Sequence, residues 1–245
     1  MHSRATVATA LEMSLSGATS VAIGSALNVP PRTIRDWIRG IVPHCADTSC
    51  CDRCLGQHDF DALPSEYVYL LGLYLGDGCL SQHARDVYKL RIILDAAYPE
   101  IVRSARDAAQ IVAGKAGTYL RSDHCVEVFS YWRQWGCHFP QHGPGLKHER
   151  PIVLAVWQQR LIERWPEDLI RGLIQSDGCR FQNTGRSGWS QPRYSFTNHS
   201  ADIHTIFRAA CERLAVRWTE AKPHTTYVSR GADVARLDQF IGPKR

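Results

Sequence analysis

The chain has 245 residues, 44% of them apolar and 22% charged, enough for one large domain or a main domain with small attachments, and too apolar for wholesale disorder. No apolar run is long enough to span a membrane and the N-terminus lacks a secretory apolar core, so a soluble protein of the cytoplasm is expected. The net charge of +5 leans toward a polyanionic partner, which would make the protein nucleoid-associated.

The first patterned stretch is ATSVAIGSALNVPPRTIRDWIRG. Val21, Ile23, Leu27 and Val29 recur at helical spacing, and after a turn Ile34, Trp37 and Ile38 do the same. Asn28 suits the left-handed residue of a tight inter-helix turn, and Pro30 or Pro31 can open the second helix. Arg32, Thr33, Arg35 and Arg39 give that helix a polar, basic face of the kind that enters a major groove. The stretch resembles the helix-turn-helix of bacterial DNA-binding proteins, and residues 1–42 are expected to form that module.

Residues 43–59 read as a cysteine knot. Four of the nine cysteines fall within ten residues, Cys45, Cys50, Cys51 and Cys54, flanked by His44 and His58. An odd total in a non-secreted chain argues against disulfides, and a C-x2-C turn presents two thiolates to one ion. A structural Zn²⁺ is the metal of choice, with the ligand set left open by the adjacent Cys50 and Cys51.

From residue 60 to 243 the pattern alternates between helix and strand, and does so twice. The first half, 60–137, takes LPSEYVYLLGLYLGDG as a helix, strands at 78–82 and 88–95, a helix over PEIVRSARDAAQIVA, and strands at 117–121 and 124–130. The second half, 151–243, repeats the order from PEDLIRGLIQSDG to a closing helix over GADVARLDQFIG. Between them lies a Pro/Gly-rich linker followed by a connecting helix. The expected fold is α+β: a duplicated αββαββα unit with pseudo-two-fold symmetry, preceded by the helical module.

The two halves share more than their order. Five of the eight residues from Gly72 to Cys79 are identical to those from Gly172 to Cys179. Gly72 and Gly76, matched by Gly172 and Ser176, let two helix backbones approach, so the two helices are expected to cross at the pseudo-two-fold axis. Gly78 and Gly178 read as the helix stops. Asp77 and Asp177 are the anomaly. Each carboxylate opposes the negative end of its helix dipole, at a cost of about 0.3–1 kcal/mol, and the pair repel each other. A divalent cation between them would remove both penalties.

LLGLYLGDG and IRGLIQSDG resemble the two LAGLIDADG motifs of single-chain homing endonucleases, and the element order fits over residues 60–243. The resemblance implies a monomer whose motif helices form the interface between halves, and whose four-stranded sheets lie in the major groove of double-stranded DNA. It makes Asp77 and Asp177 the catalytic, metal-binding acids, assisted by the backbone carbonyls of Gly76 and Ser176. The sixth motif position is Leu75 in one copy and Gln175 in the other, a departure that leaves the metal-binding acid in place. The implied activity is divalent-metal-dependent, site-specific hydrolysis of DNA phosphodiesters, and Mg²⁺ suits such oxygen ligands. Basic residues near the ends of expected strands, Lys115, Lys222 and Arg230, are candidates for the catalytic shell. Lys89, Arg91, Arg180, Gln182 and Arg193 are candidate groove contacts, and Lys147 sits on a basic linker suited to phosphate. The alternative is a DNA-binding transcriptional regulator that keeps the fold without cleavage, as in actinobacterial sporulation regulators with a degenerate LAGLIDADG domain. An intein origin is disfavoured, because neither end reads as a splicing block.

Overall fold

The computed structural model describes His2 and residues 4–41, 58–185 and 188–242. They fall into two compact units divided between Asp59 and Phe60. Cys45, Cys50, Cys51 and Cys54, with the zinc site expected of them, lie outside the described residues.

Among its described residues the first unit holds three helices: α1 (Arg4–Leu15), α2 (Ser20–Leu27) and α3 (Pro31–Ile38). Thr19 starts α2, its hydroxyl accepting the Ala22 N–H at 3.3 Å. Asn28 ends it in the left-handed region (φ 51°, ψ 46°), and Pro31 takes the first turn of α3. The connection is tight. A Cβ on Gly24 would stand 2.6 Å from the Val29 carbonyl oxygen, so the α2–α3 turn depends on that glycine. Val7, Ala10, Ile23, Val29, Ile34 and Trp37 close a small core of their own. α1 carries no signal in the sequence reading, and two apolar positions differ from it: Val21 is 63% and Ile38 44% exposed.

The second unit is the expected duplication. Its first half runs α4 (Ser65–Gly76), β1 (Gly78–Gln82), β2 (Tyr88–Asp95), α5 (Pro99–Ala113), β3 (Gly117–Leu120), β4 (Cys125–Trp132) and a single turn, α6 (Trp135–His138). A linker and α7 (Val156–Arg164) lead to the second half. That half runs α8 (Pro166–Asp177), β5 (Gly178–Thr184), β6 (Ser190–Thr197), α9 (Ala201–Arg213), β7 (Thr219–Lys222), β8 (Thr225–Val228) and α10 (Gly231–Ile241). Each half folds its strands into an antiparallel sheet of the same topology, β1-β2-β4-β3 and β5-β6-β8-β7.

Strand alternation decides which face meets the helices. Leu80, Leu90, Ile92, Leu94 and Val128 are buried on one face of the first sheet, and Tyr194, Phe196 and Val228 on one face of the second. The opposite faces stay open. α4 packs on α8, with β1 against the one helix and β5 and β6 against the other, and α4 is buried from Tyr67 to Leu75, as so apolar a run must be. The helices touch at their glycines. A Cβ on Gly72 would lie 2.6 Å from the Leu169 carbonyl oxygen and 2.9 Å from the Gly172 Cα.

The sixth motif positions are explained by what surrounds them. Leu75 is fully buried, whereas Gln175 accepts the Tyr69 hydroxyl at 2.6 Å and donates to the Ile241 carbonyl at 2.8 Å. The glutamine thus ties α8 to α4 and to the end of α10.

Candidate functional site

The crossing at Gly72 and Gly172 fixes where the helices end, and both end on an acid. Asp77 caps α4 and Asp177 is the last residue of α8. They end side by side: a Cβ on Gly76 would stand 3.1 Å from the Asp177 carboxyl carbon and 2.6 Å from the Ser176 Cβ. Gly78 and Gly178 stop the helices as expected, and without a left-handed backbone; Gly178 has φ −106°. They are glycine because the chain doubles straight back into a strand. A Cβ on Gly78 would lie 2.5 Å from the Tyr74 Cα, and one on Gly178 2.6 Å from the Ile174 Cα. A cavity of about 180 Å³, lined in part by Asp77, Asp95, Tyr98, Gln175 and Ser176, opens beside the first acid.

A cation of the chain itself reaches this point. Lys147, placed by the sequence reading on a phosphate-tracking linker, instead turns its ammonium onto the end of α4. Its Nζ donates to the carbonyls of Tyr74 at 2.5 Å, Leu75 at 2.9 Å and Gly76 at 2.7 Å. It also stands 5.2 Å from the centre of the Tyr74 ring. Burial lowers its pKa to about 8, while the fields of Asp177 and Asp77 hold the proton on. The linker is pinned to present it: Arg150 Nη1 donates to the Gln141 carbonyl. The Gln141 amide bonds Gln158 at 2.5 Å, and Gln158 bonds the Tyr67 hydroxyl at 2.8 Å. No spacing rule places a linker lysine on a helix terminus seventy residues away, so sequence reading missed this role.

The second acid has a holder that was also missed. Asn198 Nδ2 donates to Asp177 Oδ2 at 2.5 Å. Behind it, buried His204 places Nε2 2.9 Å from the Asn198 carbonyl oxygen and Nδ1 3.1 Å from the Thr226 hydroxyl. A carbonyl can only accept, so Nε2 carries the proton and Nδ1 takes the hydroxyl's hydrogen.

Strand register sorts the other candidates. Lys222 ends β7 opposite Thr225, which pairs with Thr197, at the acid end of its sheet. Lys115 and Arg230 do not reach that end. The Lys115 carbonyl accepts from Ser130, beyond the Gly117–Phe129 pair, and Arg230 follows β8 past the Tyr194–Val228 pair. Among the groove candidates, Lys89, Arg91 and Arg193 lie on open faces, the first two alternating with buried Leu90 and Ile92. Lys89 pairs with Glu127 at 2.6 Å and stands over the Phe129 ring, and Arg193 stands over the Tyr227 ring. Arg180 and Gln182 have the wrong parity. Arg180 pairs with Tyr194, on the helix side, and binds Asp238 of α10 at 2.7 and 2.8 Å, holding that carboxyl below its usual range. In the first unit Arg32, Arg35 and Arg39 are exposed and Thr33 is half-buried.

Among the described residues no three His, Cys, Asp or Glu side chains converge as a metal cage, and no helix is long and apolar enough to cross a membrane. What the acid site offers a cation is chiefly oxygen, from two carboxylates and the carbonyls beside them, with the Cys79 thiol nearby. That donor set fits a hard divalent ion.

The chain is similar in structure to LAGLIDADG homing endonucleases. A crystal structure of I-DmoI in complex with DNA and Mn aligns with a TM-score of 0.48 at 14% identity, over 76% of this chain and 99% of that one. I-AabMI bound to uncleaved DNA aligns at 0.45 and 12%, over 71% and 82%. The N-terminal LAGLIDADG domain of WhiA aligns at 0.42 and 13%, over 76% and 89%. No protein-family model matches the sequence, and no curated protein matches it. At such identities the functional reading rests on this chain's own residues.

Proposed function

We propose that the chain is a monomeric, divalent-metal-dependent endonuclease that binds double-stranded DNA through its two open sheet faces and hydrolyses phosphodiester bonds at Asp77 and Asp177. One observation carries this reading: the duplicated helices end side by side on two carboxylates, brought together by glycines that leave no room for a side chain. Two like charges at adjacent negative helix ends call for a cation beside them, and the oxygens they present suit a divalent ion.

Asp77, Asp177 and the Gly76 and Ser176 carbonyls would hold the ion, with Mg²⁺ the expected occupant. Bound there, it would supply Lewis acidity toward the phosphate and acidify a water molecule. The chain's own part is placement. Asn198 orients the Asp177 carboxylate, while Lys89, Arg91 and Arg193, interleaved with Phe129, Tyr131 and Tyr227, present a basic and aromatic surface to the DNA. In the first unit, α2 and α3 serve as a helix-turn-helix that adds contacts through Arg32, Thr33 and Arg35.

The second reading, a regulator that binds DNA without cutting it, is favoured by the ammonium already beside the acids. One experiment separates the two. A randomised duplex library is incubated with the full chain and Mg²⁺, and bound and cleaved molecules are sequenced separately. Cleaved sequences that vanish with Asp77→Asn support the nuclease; an enriched bound motif with no cleaved product supports the regulator.

A further inference from the structure

The ammonium of Lys147 has three N–H donors and uses each on a different carbonyl of the last turn of α4. One of those carbonyls, Gly76, is an oxygen that the metal reading assigns to the divalent ion. Asp77, Asp177 and the Cys79 thiol surround the ammonium electrostatically, with Arg150 the like charge in the group. The negative charge of the helix terminus and the acid pair is therefore offset in part from within the chain. An ion on the Gly76 oxygen would sit within a few ångströms of Nζ, and two cations so close in a half-buried site repel strongly.

Resting on the metal-site reading above, we propose that Lys147 is the resident cation of the acid site and competes with the divalent ion for the Gly76 carbonyl, so that metal binding drives the lysine and its linker turn off the helix end. The local structure permits the exchange. Lys147 begins a single turn (Lys147–Glu149) whose Glu149 carboxylate accepts the Leu146 N–H at 3.4 Å. Leu146 is 58% exposed and Gly145 lies in the left-handed region (φ 78°), so the turn itself buries little, and the apolar surface its lysine would uncover is the Tyr74 ring. The linker that joins the halves then reports whether the site is loaded.

The test measures Mn²⁺ binding to the full chain without DNA by electron paramagnetic resonance. Lys147→Met should bind at least about tenfold more tightly than the parent, since a competitor is gone and the acids repel unrelieved; Lys147→Arg, which keeps the charge, should stay near the parent. Equal or weaker binding by a folded Lys147→Met protein overturns the competition and leaves the metal site standing. If the methionine variant does not fold, the parent decides: saturating Mn²⁺ should speed tryptic cleavage after Lys147, and an unchanged rate overturns the proposal. Failure of the metal reading is distinct, because an Asp77→Asn/Asp177→Asn protein would then bind Mn²⁺ as well as the parent, and both inferences fall.

Discussion

The Asn198 amide donates to the Asp177 carboxylate across 2.5 Å, and Lys147 stands in the field of the same carboxylate. This changes the energetics expected of the acid pair. Taken from the sequence, Asp177 is a liability that asparagine should relieve. In the structure its charge is answered twice, by an amide and by a buried ammonium. Asp177→Asn should therefore lower stability, by about 1–3 kcal/mol, because it removes a charged hydrogen bond and leaves Lys147 less compensated. Denaturant unfolding without metal checks the sign, and a variant more stable than the parent would show that Lys147 does not offset the repulsion. Cleavage should be lost with the same substitution.

His204 makes the support of Asp177 sensitive to pH. Burial lowers its pKa below the ordinary imidazole value of 6.5. Between the folded and unfolded values the unfolded chain binds the proton and the folded chain does not. Stability is then fully present above about pH 6.5 and is lost as pH falls through the folded value. His204→Gln should flatten that slope below about pH 6.5 while lowering stability at neutral pH, where Nε2 no longer holds the Asn198 carbonyl. A stability profile over this range decides it. Equal slopes in parent and variant would place the acid sensitivity elsewhere.

Much of this architecture was legible in the sequence, and the gaps have physical causes. Periodicity located the strands because alternation at Leu90, Ile92 and Leu94 reflects a one-sided core, and the two Asp-Gly-Cys stops revealed the duplication. Gly72 and Gly172 announced the helix crossing, since only close backbones require glycine there. Parity in β5 was harder. Half-exposed Phe181 sits on the open face with Arg193, while Arg180, charged and expected outward, turns to Asp238. A seven-residue strand with both faces partly wet leaves no alternation to read. Lys147 and Asn198 were invisible for another reason: each reaches the acids from a loop, across 71 and 21 residues of chain.

That parity gives a paired test. Arg193→Ala should weaken DNA binding and reduce the salt slope, by about 0.9 in log–log terms if one phosphate is lost, with stability unchanged within about 0.5 kcal/mol. Arg180→Ala should do the reverse. It breaks a partly exposed ion pair with Asp238, costing about 1 kcal/mol, and leaves the salt dependence of binding intact. Titrations at several salt concentrations, beside unfolding curves, compare the two. Equal salt slopes for both variants would mean that the second sheet does not meet DNA by its open face.

The helix crossing makes the strongest demand on sequence. At Gly72 the atoms nearest an added Cβ are the Leu169 carbonyl oxygen, the Gly172 Cα and the Leu173 nitrogen, all backbone, at 2.6 to 2.9 Å. Backbone cannot turn aside as a side chain can, so α4 and α8 must separate or rotate. Gly72→Ala should cost about 3 kcal/mol or more by overpacking, far above the gain of up to about 1 kcal/mol that alanine brings to a helix interior. Gly172→Ala should cost a similar amount. The double variant should cost less than the sum, because the first methyl already forces the helices apart and the second fills part of the gap. The same separation draws Asp77 from Asp177, so each single variant, at a temperature where it stays folded, should bind Mn²⁺ more weakly than the parent. Gly114, whose added Cβ meets nothing within 4 Å but whose φ of 75° disfavours alanine, serves as the control: Gly114→Ala should lose about 1 kcal/mol through backbone strain and keep its Mn²⁺ affinity. Equal metal affinity in Gly72→Ala and the parent would show that the acids do not form their site through the helix crossing.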